Sequence, residues 1–244
     1  MIVQIYEIQT PQEAEKCIDL GVDHIGSVIL SQDEWRIKTL REVTHITERT
    51  DIKNSIIPLF QDSDTVYRAL DYYRPDYMHF CESLTDNDGK EIGLDRFFQF
   101  QADMKEKFPE IGIIRSIPIP EEGSSSDFPA LKIARSLEPV TDIFLTDTFL
   151  KEAPVQGYIG ITGKKVDGEI ARELVLESKK PVILAGGLSP ENIYDALTKI
   201  KPAGGDSCTH TNIVDEEGKP IRFKKDFLKV KEFVMEVRRA EEQN

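Results

Sequence analysis

Short apolar runs alternate with amphipathic stretches from one end of the chain to the other. IVQIY (Ile2 to Tyr6) has strand character, and Pro11 to Leu20 follows with helical spacing, Thr10 standing as its N-cap and Gly21 just past its end. HIGSVIL (His24 to Leu30) is the next apolar run, with a helix expected from about Lys38 to Arg49. SIIPLF (Ser55 to Phe60) precedes a helix over Asp64 to Tyr73, capped by Asp62 or Ser63, and YMHF (Tyr77 to Phe80) precedes one ending near Phe108. IGIIRSIPI (Ile111 to Ile119) leads to a helix from about Phe128 to Leu137, and DIFLTD (Asp142 to Asp147) to one over Asp167 to Ser178. PVIL (Pro181 to Leu184) is followed by a helix over Glu191 to Ile200, and PAGGDS (Pro202 to Ser207) is a weak, glycine-rich eighth run. Ile221 to Arg239 reads as a closing amphipathic helix. Strands that alternate with helices predict a parallel sheet covered by helices. About eight such units point to α/β architecture in the form of a closed (β/α)8 TIM barrel rather than an open sheet. The expected organisation is a single domain over residues 1–240 with a frayed tail at 241–244. EEGSSSD (Glu121 to Asp127) is expected to be a flexible loop between a strand and a helix.

Composition narrows the function classes. The 244 residues are 39% hydrophobic, enough for one sizeable core. The formal net charge of -13 argues against nucleic-acid backbone or an anionic membrane surface as partner, since both are polyanions. It leaves a small phosphorylated substrate in a local site open. No apolar run approaches the roughly 20 residues that span a bilayer, and MIVQIYEIQT does not read as a signal peptide. Cys17, Cys81 and Cys208 are odd in number and far apart, so reduced thiols in a cytoplasmic protein are expected. A monomer or homodimer is expected, with no cofactor and no metal.

In such a barrel the chemistry sits at the C-terminal ends of the strands. LAGGLSPENI (Leu184 to Ile193) puts Gly186 and Gly187 just past the seventh run, and Cys208, Thr209, His210 and Thr211 follow the eighth. Loops after the seventh and eighth strands form phosphate sites in these barrels, so Gly186, Gly187, Cys208 and Thr209 are candidate phosphate ligands; a simple tight turn is the other reading of the glycines. Asp147 ends a buried strand, where a carboxylate costs desolvation unless paired or used, so it is a candidate acid or base, or else a cap. The long segment from Thr146 to Asp167 has no obvious strand and reads as a lid or binding loop, its Gly163 able to fold over a phosphate, or as a plain surface loop. Arg36 could fork onto a substrate carboxylate or phosphate, or pack on Trp35. His79 and Cys81, near the end of the fourth strand, lack a metal-ligand partner at suitable spacing and are expected to pack or to face substrate.

LAGGLSPENI, preceded by FLTDT and GITGKKVD, resembles phosphoribosylanthranilate isomerase of tryptophan biosynthesis, a family with a Leu-Asp-Thr segment after its sixth strand and a Ser-Gly-Gly-Leu-x-Pro-x-Asn motif. The opening IQTPQEAEKCIDLGVDHIGSVIL and the segment IKPAGGDSCTHTNI are similar to the corresponding parts of that family, and Arg36 falls where the family has an arginine. The resemblance implies an Amadori rearrangement. An acid protonates the furanose ring oxygen, the ring opens to a Schiff base, and a base removes the C2′ proton. Asp147 matches the family's acid. The family's base is a cysteine in Lys-Ile-Cys-Gly-Ile-Thr; here that stretch reads Gln4-Ile5-Tyr6-Glu7-Ile8-Gln9. Tyr6, with a reference pKa near 10, is a poor base, which makes Glu7 the first candidate, with Tyr6 shaping the pocket. The same residues leave open another phosphosugar isomerase, epimerase or lyase, and a barrel that binds a phosphorylated metabolite without turning it over.

Overall fold

The apolar runs form strands that close on themselves. The computed structural model describes residues 1–123 and 128–243. Its strands β1 (Ile2–Ile5), β2 (His24–Ile29), β3 (Lys53–Pro58), β4 (Tyr77–Phe80), β5 (Gly112–Pro120), β6 (Ile143–Phe149), β7 (Val182–Leu184) and β8 (Gly204–Ser207) pair in sequence order, all parallel, and β8 returns to β1. The helices are α1 (Pro11–Asp19), α2 (Lys38–Thr47), α3 (Ser63–Tyr73), α4 (Asp95–Lys107), α5 (Ala130–Leu137), α6 (Gly168–Glu177), α7 (Ile193–Ile200) and α8 (Phe227–Glu241). This is the single-domain (β/α)8 barrel that the alternation predicts. Among the described residues no helix is long and apolar enough to cross a membrane.

Local chemistry sets the helix starts. Thr10 and Glu13 form a capping box on α1, and Asp62, Asp167 and Asp226 accept backbone N–H groups at the starts of α3, α6 and α8. The strands are buried on both faces, as a parallel sheet under helices requires; every residue of β2 is buried. Outward-facing side chains such as Ile5, Ile25 and Phe144 pack with Phe233 and Val237 of α8 and their neighbours in one continuous apolar cluster. Each such large side chain contributes about 1.5–3 kcal/mol on burial.

Strand register decides what points inward. Gln4 lies beside His24 and Asp206, Gly26 beside Ser55, His79 beside Ile114, and Ser116 beside Leu145. The N-terminal part of the interior is sealed by Ile114, Ile143, Leu145, Ile183 and Ala185, with Ile2 and Tyr77 against them. Above this plug the interior is polar, and that places the site.

The chain departs from the expected pattern near its end. Ile221 to Arg239 is not one helix. After β8 come a turn of 3-10 helix (Thr209–Thr211) and an antiparallel hairpin of β9 (Asn212–Val214) and β10 (Pro220–Lys225), and only then α8. Asp215 builds the hairpin turn: its carboxylate accepts the N–H groups of Glu217 and Lys219, and Gly218 takes a φ of 78°. Asp226 then restarts the helix. In the expected flexible loop, residues 124–127 lie outside the described residues, as does Asn244 of the tail; α8 itself runs through Glu241.

Candidate active site

The strand ends open into a cleft of about 790 Å³, part of it open to solvent. Its floor begins at Tyr6. The Tyr6 side chain crosses the barrel interior, and the space beside it exists because position 26 is glycine: a Cβ there would meet the Tyr6 ring at 2.2 Å. The Tyr6 hydroxyl lies 2.7 Å from Ser55 Oγ and 2.5 Å from His79 Nδ1, and His79 Nε2 lies 2.8 Å from Ser116 Oγ. Four strands are thereby laced together by one hydrogen-bonded chain. Burial, with help from Arg115 and His24, pushes His79 down to about 3, so its ring is neutral. Burial pushes the Tyr6 phenol well above its ordinary value. His79 thus lines the cleft with both nitrogens already engaged, and Tyr6 is no proton acceptor.

Glu7, the expected base, has its carboxylate engaged by the hairpin that follows β8. Its φ is 62°, a left-handed conformation at the position where the resembling family has glycine. Its carboxylate is 1% exposed and accepts hydrogen bonds from Arg222 Nε at 2.7 Å, the Phe223 N–H at 3.0 Å and Asn212 Nδ2 at 3.3 Å. Burial alone would raise its pKa; the Phe223 N–H, Arg222 and Lys225 outweigh it, and the net shift is downward. Glu7 is therefore held as a carboxylate that clips the β9–β10 hairpin to the end of β1. Lys225 completes the clip, its Nζ donating to Cys208 O at 2.7 Å and to Asn212 Oδ1 at 2.5 Å.

Asp147 stands at the opposite wall. Among the described residues its one hydrogen bond comes from the Thr148 N–H at 3.0 Å. Desolvation pushes its carboxyl up to about 7. Across the cleft Asp206, 7% exposed, accepts from Gln4 Nε2 at 3.1 Å. Burial, and secondarily the charge of Asp147, push it up to about 7 as well. Sequence reasoning missed Asp206, which lies in a glycine-rich run rather than at the end of an apolar one. The thiols of Cys81 and Cys208 line the same cleft, and burial pushes both up, so neither is a ready thiolate.

The segment after β6 folds over this floor as a lid. The Ile159 N–H donates to Cys81 O and the Ser83 N–H to Gly157 O, while Thr148 Oγ1 donates to Lys164 O at 2.6 Å. Below the loop after β4, Arg115 forms a buried ion pair with Glu82 at 2.6 Å and anchors the rim on which the lid rests. Two glycine contacts explain the lid's closeness. A Cβ on Gly160 would lie 2.3 Å from Asp147 Oδ2, and one on Gly187 would lie 2.6 Å from the Lys164 carbonyl carbon. The Gly186–Gly187 pair, with φ of 97° and 64°, thus makes a left-handed turn and lets the lid backbone lie directly on it. His210 Nε2 ties Gly163 O to the loop after β8 at 2.9 Å. Gly163, Gly186, Gly187, Cys208 and Thr209 consequently all line one end of the cleft.

Arg36 lies elsewhere. It is exposed, its guanidinium 4.6 Å from the Tyr72 ring, and it does not line the cleft; Trp35 is taken by Arg68 instead. The cation that does line the cleft is Arg222, from the hairpin that the sequence pattern hid. Among the described residues no three His, Cys, Asp or Glu side chains converge to hold a metal ion.

Known proteins match this chain along its whole length. The family model for N-(5'phosphoribosyl)anthranilate (PRA) isomerase matches residues 3–235. N-(5'-phosphoribosyl)anthranilate isomerase of Aquifex aeolicus is 29% identical over 95% of this chain and 96% of its own, and that of Methanosarcina acetivorans 24% identical over 97% and 92%. The crystal structure of phosphoribosyl anthranilate isomerase from Thermotoga maritima superposes with a TM-score of 0.70 at 16% identity, covering 98% of this chain and 99% of that one, a likeness of fold. The barrel, its sixth-strand aspartate, its glycine turn after β7 and the matched span agree: the chain belongs to the N-(5'-phosphoribosyl)anthranilate isomerase family.

Proposed function

We propose that this chain isomerises N-(5'-phosphoribosyl)anthranilate by an Amadori rearrangement, the reaction of its family in tryptophan biosynthesis, with a carboxyl pair in place of the family's carboxyl and thiol. The observation that carries the reading is the juxtaposition of Asp147 and Asp206 on one cleft, both pushed up to about 7. Near neutral pH such a pair offers one protonated and one ionised carboxyl, the two states that the reaction needs at once. Asp147 holds the proton delivered to the furanose ring oxygen, and the ring opens to a Schiff base. Asp206, hydrogen-bonded to β1 where the family carries its base, takes the C2′ proton, and the enolamine then tautomerises to the ketose. One proton enters and one leaves, so the substrate's net charge is unchanged. The phosphate is held by the cleft end formed by Gly163, Gly186, Gly187, Cys208 and Thr209, whose three glycines take left-handed conformations. His79 and Cys81 shape the floor beneath the sugar.

The test is the pH profile of turnover with purified protein. The wild type gives a bell centred near pH 7. Asp147→Asn and Asp206→Asn each lower kcat by about 10²-fold or more while phosphate-ligand affinity stays within a few-fold. An Asp206→Asn enzyme with wild-type kcat removes Asp206 from the mechanism. A wild type without isomerase activity overturns the reading itself.

A further inference from the structure

Gln4 of β1 stands between two register partners, Asp206 on β8 and His24 on β2. Residues paired in this way share one face of the sheet, here the barrel interior. All three side chains are buried, Gln4 and His24 almost completely. The Gln4 carboxamide donates its Nε2 to Asp206 Oδ1 at 3.1 Å. Two atoms of the trio are left enclosed without a partner among the described residues, Gln4 Oε1 and His24 Nε2. Burial pushes His24 down to about 4, so its ring, 5.1 Å from that of Tyr77, is neutral. A neutral imidazole carries one N–H and one acceptor nitrogen.

Buried acceptors without donors are costly, and one motion removes both. A carboxamide turned by half a revolution keeps its shape and exchanges its oxygen with its nitrogen. Turned so, Gln4 presents Oε1 to Asp206 and its NH2 to His24 Nε2. That orientation needs a proton on Asp206, since two oxygens would otherwise face each other with no hydrogen between them.

We infer that Gln4 is the positioning residue of Asp206 and turns with its proton: the carboxamide donates to Asp206 while it is ionised, and accepts from it and donates to His24 once Asp206 has taken the C2′ proton. The inference rests on the isomerase reading above and adds to it the group that holds Asp206 in place through both halves of the proton cycle. Only Asp206 gains a proton; Gln4 and His24 keep theirs. The other titratable groups near Asp206 are Asp147 from β6, Tyr6 beyond β1, Cys208 beyond β8 and Lys225 from β10, while β7 brings none. Asp23, Lys53 and Asp76 are the charges around His24. None of these donates to Gln4 Oε1 or His24 Nε2 among the described residues.

The experiment pairs nitrogen NMR of the resting, isotope-labelled protein with the pH profile of kcat. Over roughly pH 5–9 the His24 Nε2 resonance moves upfield as pH falls, on the same curve as the Gln4 carboxamide, with the midpoint of Asp206. Asp206→Asn abolishes that movement. In the kcat profile the acidic limb reports the proton acceptor. Gln4→Met takes the donor from ionised Asp206 and moves this limb up by about one pH unit, a tenfold change in its ionisation constant. His24→Phe keeps a ring against Tyr77 but takes the acceptor from the turned carboxamide, so it moves the limb down. A merely structural role for the trio gives no such opposed shifts. Limbs that move the same way overturn the inference, as does a His24 resonance that ignores the Asp206 titration. The wild-type resonances need no substitution, so they decide the matter should either variant fail to fold. A wild type without isomerase activity removes the isomerase reading, and the same resonances still decide whether the carboxamide turns.

Discussion

Tyr6 stands where the resemblance puts the family's base, and its surroundings give it a packing and hydrogen-bonding role. Its hydroxyl satisfies Ser55 and His79 together, and its ring fills the space that Gly26 leaves open. Tyr6→Phe keeps the ring but strands two buried polar groups, so it lowers stability by about 1–3 kcal/mol in chemical denaturation while kcat changes little. A Tyr6→Phe enzyme that loses turnover at unchanged stability would instead put the phenol in the chemistry. Restoring the family's thiol by Tyr6→Cys does not raise activity, because burial pushes thiols up in this floor, as at Cys81 and Cys208. Asp147 was legible in the sequence because it ends a strongly apolar run, DIFLT. Asp206 was not, because it sits in the glycine-rich PAGGDS, where nothing local says which face a side chain takes. Only closure of β8 onto β1 sets the register that turns it inward.

The first seven strand-helix units were legible because their runs are largely apolar and the stretches that follow them have helical spacing. The β9–β10 hairpin was not. IRFKKDFLKVKEFV carries apolar residues at spacings that suit a helix throughout, and the half-exposed β10 has no buried alternation to betray it. What holds the hairpin is long-range: Glu7, more than two hundred positions away, accepts from Arg222 and Phe223. That also decides how Glu7 should behave when changed. Glu7→Gln removes one partner of a pair that is buried on one side and about a third exposed on the other, costing about 1–3 kcal/mol once solvent screening is discounted. The hairpin then loosens, and limited proteolysis at its Glu216–Gly218 turn accelerates before the barrel is cut. Because Glu7 orients Arg222 and touches no reacting atom, KM rises more than kcat falls. A collapse of kcat with unchanged KM and unchanged proteolysis would restore Glu7 as a base.

The whole barrel closes its apolar plug at the N-terminal end and keeps its polar interior toward the C-terminal mouth, so two carboxyls, Asp147 and Asp206, stand desolvated there, neither in a salt bridge among the described residues. Such an arrangement costs stability once the carboxyls ionise, and pH exposes the cost. Asp206 titrates at about 7 in the folded chain, against a reference near 3.9 when unfolded. Below pH ~4 both states carry the proton, and the group's contribution to stability is fully present. As pH rises from there, the unfolded chain gives up its proton while the folded chain retains it. Stability therefore falls through that interval, by at most about 1.4 kcal/mol per pH unit, and levels off above the folded pKa. Asp206→Asn removes this slope. The variant should gain on the wild type between pH 4.5 and pH 8, by on the order of 2–4 kcal/mol, in paired denaturant titrations at each pH. The same variant is the one expected to lose turnover, so a single substitution should raise stability at pH 8 and abolish the alkaline gain of a proton acceptor. A stability difference that stays constant across that range would mean Asp206 is ionised in the folded barrel throughout, and the carboxyl pair could not share a proton near neutrality.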